Sequence, residues 1–238
     1  MGIKTGGYGI TDNGPGDDGR RRLARVTGIA GLVTMILVFV PVIARSGREP
    51  GFDGTTEEIA AFFQSVDTPL AEFGSFLFTL GMIAFLWFVI ELSVLLRTAE
   101  REPAWRSVVA ASSGVVLVAL VLAGNWDAAA FRAADLDPQI ARYAFDAGNV
   151  SFANGWVAMG SFAVCCGWLI VSSGILPRWL GWWAVASGLG LAASRAVWTS
   201  EVWMVPYGMF WLWVVVLSVL LLRGRAGVLP EVAGKAEA

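Results

Sequence analysis

The sequence predicts an all-α membrane protein, a polytopic bundle of six transmembrane helices with a short outer amphipathic helix in the first outer loop. Six apolar runs carry this prediction, at residues 27–44, 70–96, 108–123, 154–173, 180–198 and 204–222. Crossing a hydrocarbon core of about 30 Å takes roughly 20 apolar residues in a helix, which satisfies its own backbone hydrogen bonds. The composition agrees, since 56% of the 238 residues are hydrophobic and 15% are charged, against about 25% charged residues in soluble domains.

The first run follows a basic segment, Arg20, Arg21, Arg22 and Arg25, as the apolar core of a secretory signal does. Its length of about 18 residues exceeds the roughly 7 to 15 of a signal core, so we interpret it as a retained first span. Residues 1–20 and 224–238 are rich in glycine and charged residues and are predicted to be disordered cytoplasmic tails. They flank a single six-helix transmembrane domain at 21–223.

The first outer loop, between the first two runs, contains a signal for a short helix. Thr55 and Glu58 have the spacing of a capping box, and the apolar side chains that follow share one helix face: Ile59, Phe62 and Phe63. We therefore expect a short amphipathic helix that lies on the outer surface.

The second outer loop predicts that the fourth helix starts well before its apolar run. Asp137 followed by Pro138 is typical of an N-cap residue and the first helical position. A helix that starts there projects about 24 Å beyond Asn154, at 1.5 Å per residue. A helix break at Gly148 is the alternative.

Small residues recur along the fourth and fifth spans. The rows are Asp146, Ala153, Gly160, Gly167 and Gly174, every seven residues, and Ala184, Gly188, Ala192 and Ala196, every four. Since small residues let helix backbones approach closely in lipid, these two helices are predicted to pack as a close central pair. The adjacent Cys165 and Cys166 point about 100° apart on a helix and are interpreted as small packing residues.

The distribution of basic residues predicts the orientation. With the N-terminus inside, 12 of the 17 Lys and Arg residues fall on the inner side and 5 on the outer side, as the positive-inside rule requires. We therefore expect a multi-pass protein of a bacterial-type plasma membrane, with both termini cytoplasmic. Most tryptophans lie near predicted span ends, but Trp87, Trp211 and Trp213 lie mid-span and are expected to pack in the core. The alternative is that they line a cavity for a flat ligand.

The absence of histidine argues against several classes of function. The chain has 0 His residues, so it lacks the usual haem ligand and the commonest transition-metal ligand. We find no serine-hydrolase, zinc-protease or phosphate-binding-loop motif. No cofactor, metal or nucleic-acid partner is therefore predicted, and an enzymatic activity is not favoured.

Two ionisable residues lie within predicted spans, where a charge is costly enough to indicate function or a specific partner: Arg195 and Glu91. Arg195 lies level with the outer ends of the spans, and we predict that it forms the base of an outward-opening polar pocket. The other predicted ligand-binding residues are Asp146, Asn149, Asp127, Asn154, Trp198 and Glu72. The alternatives are that Arg195 reaches the outer lipid headgroups or forms an ion pair with Asp127 or Asp146.

Glu91 lies about 9 Å along its helix from Arg97 at the inner end of its span, whereas Arg195 lies about 22 Å from the inner side, fifteen residues beyond Leu180. The two residues are therefore too far apart in depth for a direct pair. A buried carboxyl group that binds and releases a proton suits proton coupling, so Glu91 is a possible proton-coupling residue. The alternative is a structural ion pair with Arg97, Arg101 or Arg106.

Two stretches resemble a broad group of uncharacterised six-helix bacterial integral membrane proteins, known as a domain of unknown function. Residues 173–182 (SGILPRWLGW) resemble the inner connection between the fourth and fifth spans of that group, and residues 22–30 (RLARVTGIA) resemble its opening. The resemblance implies the six-helix architecture and no activity.

These observations favour a membrane protein, surrounded by the lipid bilayer, that binds a lipidic ligand or a partner subunit through the outer pocket. A small-molecule or proton-coupled transporter that uses Glu91 or the residues around Arg195 is the alternative, and an intramembrane enzyme is the third interpretation. A transporter predicts a continuous polar path across the bundle, whereas a binding protein predicts a tightly held lipid or partner.

Overall fold

The computed structural model describes residues 15–45, 49–65, 68–124, 129–130, 132 and 135–224. Within these residues the chain forms seven α-helices: α1 (Pro15–Arg45), α2 (Thr56–Gln64), α3 (Thr68–Arg97), α4 (Trp105–Leu122), α5 (Pro138–Ser173), α6 (Arg178–Ser194) and α7 (Met204–Leu222). Two 3-10 turns, Arg195–Val197 and Glu201–Trp203, lie between α6 and α7. The predicted all-α fold class is confirmed, and α1 begins inside the segment predicted to be a disordered tail.

In the described part of the chain, five helical segments are long and apolar enough to cross a membrane, which indicates a multi-pass membrane protein. They are Asp18–Val42, Pro69–Arg97, Trp105–Leu122, Pro138–Ser173 and Glu201–Leu222. The remaining predicted span, 180–198, corresponds to α6, which has 17 residues and is therefore about 26 Å long. Since the 3-10 turn at Arg195–Val197 continues α6 directly, a sixth crossing stays a prediction.

The six long helices pack side by side as a closed ring. Each contacts the next one along the chain, from α1 with α3 to α6 with α7, and α7 contacts α1 again. This order follows from short connections, because consecutive elements that are joined by few residues pack next to each other. We call the end of the ring that carries α2 the outer end, and the end that carries residues 98–104 the inner end, after the predicted orientation.

Aromatic side chains fill the centre of the ring. Phe85 of α3, Phe162 of α5 and Phe210 of α7 are fully buried, with ring centroids 6.3 Å apart in each pair. Trp213 packs on Phe162 and Phe210, and its Nε1 donates a hydrogen bond to the Leu180 carbonyl, 3.0 Å away. The described centre is therefore an apolar core.

Two of the three mid-span tryptophans lie inside the ring, and the third lies on its outer surface. Trp211 and Trp213 are 5% and 0% exposed, as expected for core residues, but Trp87 is 62% exposed. The expectation that Trp87 packs in the core is wrong, because its position on α3 faces outward from the ring.

The glycines of α5 and α6 bring these two helices into backbone contact. A Cβ atom at Gly160 would lie 2.5 Å from the Gly188 carbonyl oxygen, and one at Gly167 would lie 2.5 Å from that of Gly181. The predicted close pair is confirmed, although it forms part of the ring wall. Gly174 ends α5 with φ at +69°, a left-handed conformation that favours glycine.

The helix that contains the fourth predicted span begins at Pro138, with Asp137 as its N-cap, as the sequence indicates. Asp137 accepts a hydrogen bond from the Gln139 N–H at 2.8 Å, and Pro138 occupies the first helical position. α5 then runs without interruption for 36 residues, about 54 Å. The alternative of a break at Gly148 is wrong, and the first part of α5 projects beyond the outer end of the ring.

A small second core, which we call the outer cap, forms where α2 packs against the projecting part of α5. The capping box is confirmed: the Glu58 N–H donates to Thr55 Oγ1, and the Thr55 N–H donates to Glu58 Oε2. The cap buries the apolar residues of both helices, Ile59, Phe62, Phe63, Ala141, Ala144 and Phe145. The apolar face of α2 is thus covered by protein, because α5 extends far enough to offer it an apolar partner.

Candidate functional site

Arg195 lies at the outer end of the ring, where α6 gives way to the 3-10 turn Arg195–Val197. Its side chain is half-buried, and its Nε donates a hydrogen bond to Asn154 Oδ1 of α5 at 2.8 Å. The structure therefore brings two predicted site residues together. Within the described ranges no carboxylate oxygen lies within 4 Å of the Arg195 guanidinium.

Asp146 belongs to a different contact. Its Oδ2 accepts a hydrogen bond from Arg142 Nε at 2.8 Å, one helical turn away, and Arg142 Nη1 donates to the Gly54 carbonyl oxygen at 2.7 Å. This pair ties the first outer loop to α5. The sequence analysis missed Arg142, although the four-residue spacing of an arginine and an aspartate on one helix was a signal for it.

The other predicted site residues are dispersed. Asn149 Nδ2 is buried and has no hydrogen-bond partner among the described residues, and Trp198 packs its ring on Phe52 with centroids 5.3 Å apart. Glu72 is exposed on α3, which is on the opposite side of the ring from α6. Asp127 lies outside the described residues. The ligand-binding role of the seven residues stays a prediction.

A cleft of about 660 Å³ opens on the outer cap. Its lining shares no residue with the predicted pocket and consists of Pro50, Gly51, Asp53, Gly54, Glu58, Ala61, Phe62 and Ser65. No group of three or more acidic or cysteine side chains in the described part of the chain is arranged to hold a metal ion.

The inner end of the ring holds a charged site that the sequence analysis did not predict. The Glu100 side chain is fully buried, and its carboxylate accepts hydrogen bonds from the backbone N–H groups of Arg106 and Ser107, at 2.9 and 3.1 Å, and from Arg106 Nε at 3.1 Å. Glu100 therefore satisfies the N-terminus of α4. An acid just before an apolar run was the available signal, but in residues 97–106 only the arginines were considered, for the orientation and as partners of Glu91.

Hydrogen bonding controls the ionisation of Glu100. Burial raises the pKa of this carboxyl group, but the hydrogen bonds from Ser107 and Arg106 outweigh burial, so the pKa of Glu100 lies below its ordinary value. Arg106 also donates from Nη1 to Ser172 Oγ at 3.2 Å, and its guanidinium lies 5.4 Å from the centroid of the Trp168 ring. The loop before α4 is thereby fixed to the end of α5.

Two arginines from neighbouring elements bind α5, and they differ in whether a carboxylate neutralises their charge. Arg195 reaches Asn154 and Arg106 reaches Ser172, and these two contacts are about 27 Å apart along α5, close to the thickness of a hydrocarbon core of about 30 Å. Arg106 has a buried carboxylate as its partner. In the described residues Arg195 has only the neutral amide of Asn154, so no described carboxylate neutralises its charge.

Glu91 lies on α3 in the inner half of the ring, beside Thr27 of α1. Glu91 is partly buried, and its Oε2 is inaccessible and has no hydrogen-bond partner among the described residues. Among the described residues, Glu91 forms no ion pair with Arg97, Arg101 or Arg106. Arg106 binds Glu100 instead.

Comparison with known proteins gives one family. The model of the family described as a domain of unknown function (DUF4386) matches residues 26–224, which include most of α1 and the whole of every later helix. No curated protein and no solved structure matches the chain.

Proposed function

This chain belongs to the family described as a domain of unknown function (DUF4386), and from that premise we propose that it is a membrane binding protein for an anionic amphiphile. The amphiphile binds at the outer end of α5 and α6, with its anionic group on Arg195. The proposal includes a bacterial-type plasma membrane and cytoplasmic termini, which the 12-to-5 split of basic residues supports.

The lack of a carboxylate partner for Arg195 among the described residues supports this proposal most directly. A guanidinium carries five N–H donors, and the Nε donor is taken by Asn154. The planar fork of Nη1 and Nη2 matches a phosphate or carboxylate, which it binds through two parallel hydrogen bonds. A half-buried cation with one neutral partner is therefore suited to hold an anion from its surroundings.

The inner end of α5 supplies an internal comparison. Arg106 is equally fixed to α5, but its charge is neutralised by the fully buried Glu100. A fold that only needed an arginine to tie a helix end would be expected to treat both ends alike. The difference supports a role for Arg195 in binding rather than in structure.

The apolar centre of the ring favours a binding protein over a transporter. A transporter needs a polar path between the two sides, whereas Phe85, Phe162 and Phe210 meet at the described centre and are fully buried. A binding protein has no such requirement. Its ligand reaches Arg195 from the outer end or from the surrounding lipid.

Native mass spectrometry of gently extracted protein tests the proposal. The wild type should retain an anionic lipid, and Arg195→Gln should retain about tenfold less, because a hydrogen bond to a charged group contributes about 1.5–3 kcal/mol. Arg195→Lys should fall between them, since it keeps the charge but loses the fork. Arg178→Gln, which removes an exposed arginine at the inner end, is the control.

Equal retention by the wild type and Arg195→Gln would overturn the proposal. A protein of defined mass that is held by the wild type and released by Arg195→Gln would also overturn the amphiphile as ligand, in favour of a partner subunit. Circular dichroism and thermal unfolding of each variant establish that the ring is folded.

A proton-coupled transporter is the second candidate, and the unpartnered Oε2 of Glu91 is the observation that favours it. A buried acid in a membrane span is typical of a proton-binding site. Proteoliposomes on a supported membrane should then give a charge displacement after a pH jump, which Glu91→Gln abolishes and Glu57→Gln, at an exposed position outside the ring, preserves. The absence of a displacement in the wild type would refute this candidate.

A further inference from the structure

We infer that the anion on Arg195 is the phosphate of an outer-leaflet phospholipid, whose acyl chains lie along an open strip of α5. This inference rests on the proposed function and adds the class of ligand and its route, which is from the side, within the membrane. We call the strip the α5 seam and define it by Asn154, Val157, Ser161, Val164 and Trp168.

The α5 seam is the side of α5 that the ring leaves open. Its residues recur every three or four positions and therefore lie on one helix face. Val157 and Trp168 are 47% and 50% exposed, and the other three are half-buried. Most other residues of α5 at this depth are buried against the ring.

Two neighbouring helices form the edges of the seam. On one side α4 is held by a hydrogen bond between Ser113 Oγ and Ser161 Oγ, at 2.8 Å. On the other side the backbone of α6 meets α5 at Gly160 and Gly188. The seam is thus an exposed strip of α5 that α4 and α6 border on either side, with room along its length for a chain-like molecule.

The dimensions of the seam fit one lipid of the outer leaflet. From Asn154, which holds Arg195, ten residues along α5 lead to Val164, a distance of about 15 Å. One leaflet of a hydrocarbon core of about 30 Å has the same thickness. A lipid with its phosphate on Arg195 therefore lays its chains over Val157 to the depth of Val164.

The charge around Arg195 selects the headgroup. No described carboxylate lies within 4 Å of the guanidinium, so none competes with an anionic headgroup for Arg195. A headgroup with a net negative charge is attracted to this cation more strongly than a zwitterionic one, whose own cation opposes the attraction. The expected ligand is an anionic phospholipid of the phosphatidylglycerol type rather than one of the phosphatidylcholine type.

The experiment uses the full chain in nanodiscs that contain equal amounts of phosphatidylglycerol and phosphatidylcholine with identical acyl chains. Native mass spectrometry counts the lipids retained after the disc is removed. The wild type should retain phosphatidylglycerol about tenfold over phosphatidylcholine, and Val157→Trp, which fills the seam, should abolish most of that preference. Val115→Trp is the matched control, since Val115 of α4 is 46% exposed but lies outside the seam.

The variants separate this inference from the proposed function. If Arg195→Gln loses the lipid and Val157→Trp keeps it, the chains do not lie in the seam, and only the inference fails. If both variants keep it, both proposals fail. Loss in Val157→Trp, with Val115→Trp unchanged, supports the inference.

A second measurement does not depend on the folding of any variant. Phosphatidylglycerol with a photoreactive group in the middle of one acyl chain is added to the wild type and irradiated. Crosslinks should concentrate on residues 157–164 of α5. Crosslinks spread evenly over the lipid-facing residues of other helices, such as Ile83 and Ile90 of α3, would overturn the inference.

Discussion

At the scale of single residues, the surroundings of each charge determine what it does. Glu100 is buried and ionised because backbone and side-chain donors surround it, and it stabilises the fold through Arg106 and Ser107. Arg195 is half-buried with one neutral partner and remains able to bind. Arginine therefore serves structure at the inner end of α5, and we propose that it serves recognition at the outer end.

The lowered pKa of Glu100 predicts a pH dependence of stability. A carboxyl group with a folded-state pKa below its ordinary value, about 4.5, stabilises the folded protein above that value, and the contribution is lost as pH falls through the folded-state pKa. The melting temperature of the wild type in detergent should therefore fall as the pH drops below about 4.5. Glu100→Gln should melt lower at pH 7, since breaking a buried ion pair costs about 3–5 kcal/mol.

The control for this prediction is Glu57→Gln, which changes an exposed acid in the first turn of α2. The melting temperature of Glu57→Gln should fall in acid as much as that of the wild type, whereas the melting temperature of Glu100→Gln should fall less. Parallel melting curves for the wild type and Glu100→Gln over the whole pH range would contradict the role given to Glu100.

Sequence reasoning found the level of Arg195 in the membrane but not its partner. Depth follows from counting residues along a helix, so Arg195 and Asn154 were correctly placed at the same height. The partner depends on how each helix is rotated about its axis and on competing contacts. Arg142 is on the same helix as Asp146 and already binds it, a competition that residue counting cannot resolve.

At the scale of helices, glycine positions set the distance between α5 and α6. A Cβ atom at Gly160 or Gly188 would lie 2.5 or 2.7 Å from the carbonyl oxygen of the other, which is too close for any side chain without backbone movement. The periodicity of small residues predicted this pair because close approach in lipid requires them. Gly181, which faces Gly167, was absent from the predicted row because it lies three residues before Ala184 and so breaks the four-residue spacing.

Alanine at these positions is predicted to destabilise the ring. Gly160→Ala or Gly188→Ala should lower the melting temperature in detergent, since overpacking of a close contact costs about 1–3 kcal/mol. Gly208→Ala is the matched control, because nothing lies within 4 Å of a Cβ atom there, and alanine favours a helix over glycine by about 1 kcal/mol. An equal effect at all three positions would mean that α5 and α6 do not meet at their glycines.

The outer cap is predicted to loosen independently of the ring. Phe63→Ala removes a fully buried ring from the core between α2 and α5, and such a change costs about 3–5 kcal/mol. Limited proteolysis should cut residues 49–65 faster in this variant while the melting temperature of the ring changes little. Phe73→Ala, at a 59% exposed position on α3, should leave the cutting rate unchanged.

A joint loss of the cap and the ring in Phe63→Ala would show that the two cores fold as one unit. The sequence predicted α2 because a capping box is a local signal. It did not predict what covers the apolar face, because that depends on how far α5 projects.

At the scale of the whole molecule, the orientation of the chain determines on which side of the membrane the outer cap lies. Single cysteines at Gln64 on α2 and at Thr98 beyond α3, both exposed positions, should react with a membrane-impermeant maleimide from outside and from inside, respectively. The native Cys165 and Cys166 are buried and should stay unlabelled in intact cells. Labelling of Thr98→Cys alone in intact cells would reverse the orientation and place Arg195 at the cytoplasmic side.

The apolar runs predicted the helices of the ring well, since length and hydropathy are properties of each run by itself. They did not predict that the helices close into a ring with an aromatic centre. Phe85, Phe162 and Phe210 come from three helices that are far apart in sequence, and no periodicity within one run relates them. The outward position of Trp87 was missed for the same reason.

Ring order has a consequence for biosynthesis. Since domains form from the N-terminus during translation, α3 to α7 each meet the preceding ring helix as soon as they enter the bilayer. The contact of α1 with α7 is different, because it joins the first and the last helix of the ring and forms only after α7 has been made. Until then two faces stay open to lipid: the glycine face of α1, which packs at Gly28 against the Ser218 backbone, and the side of α6 that α7 covers.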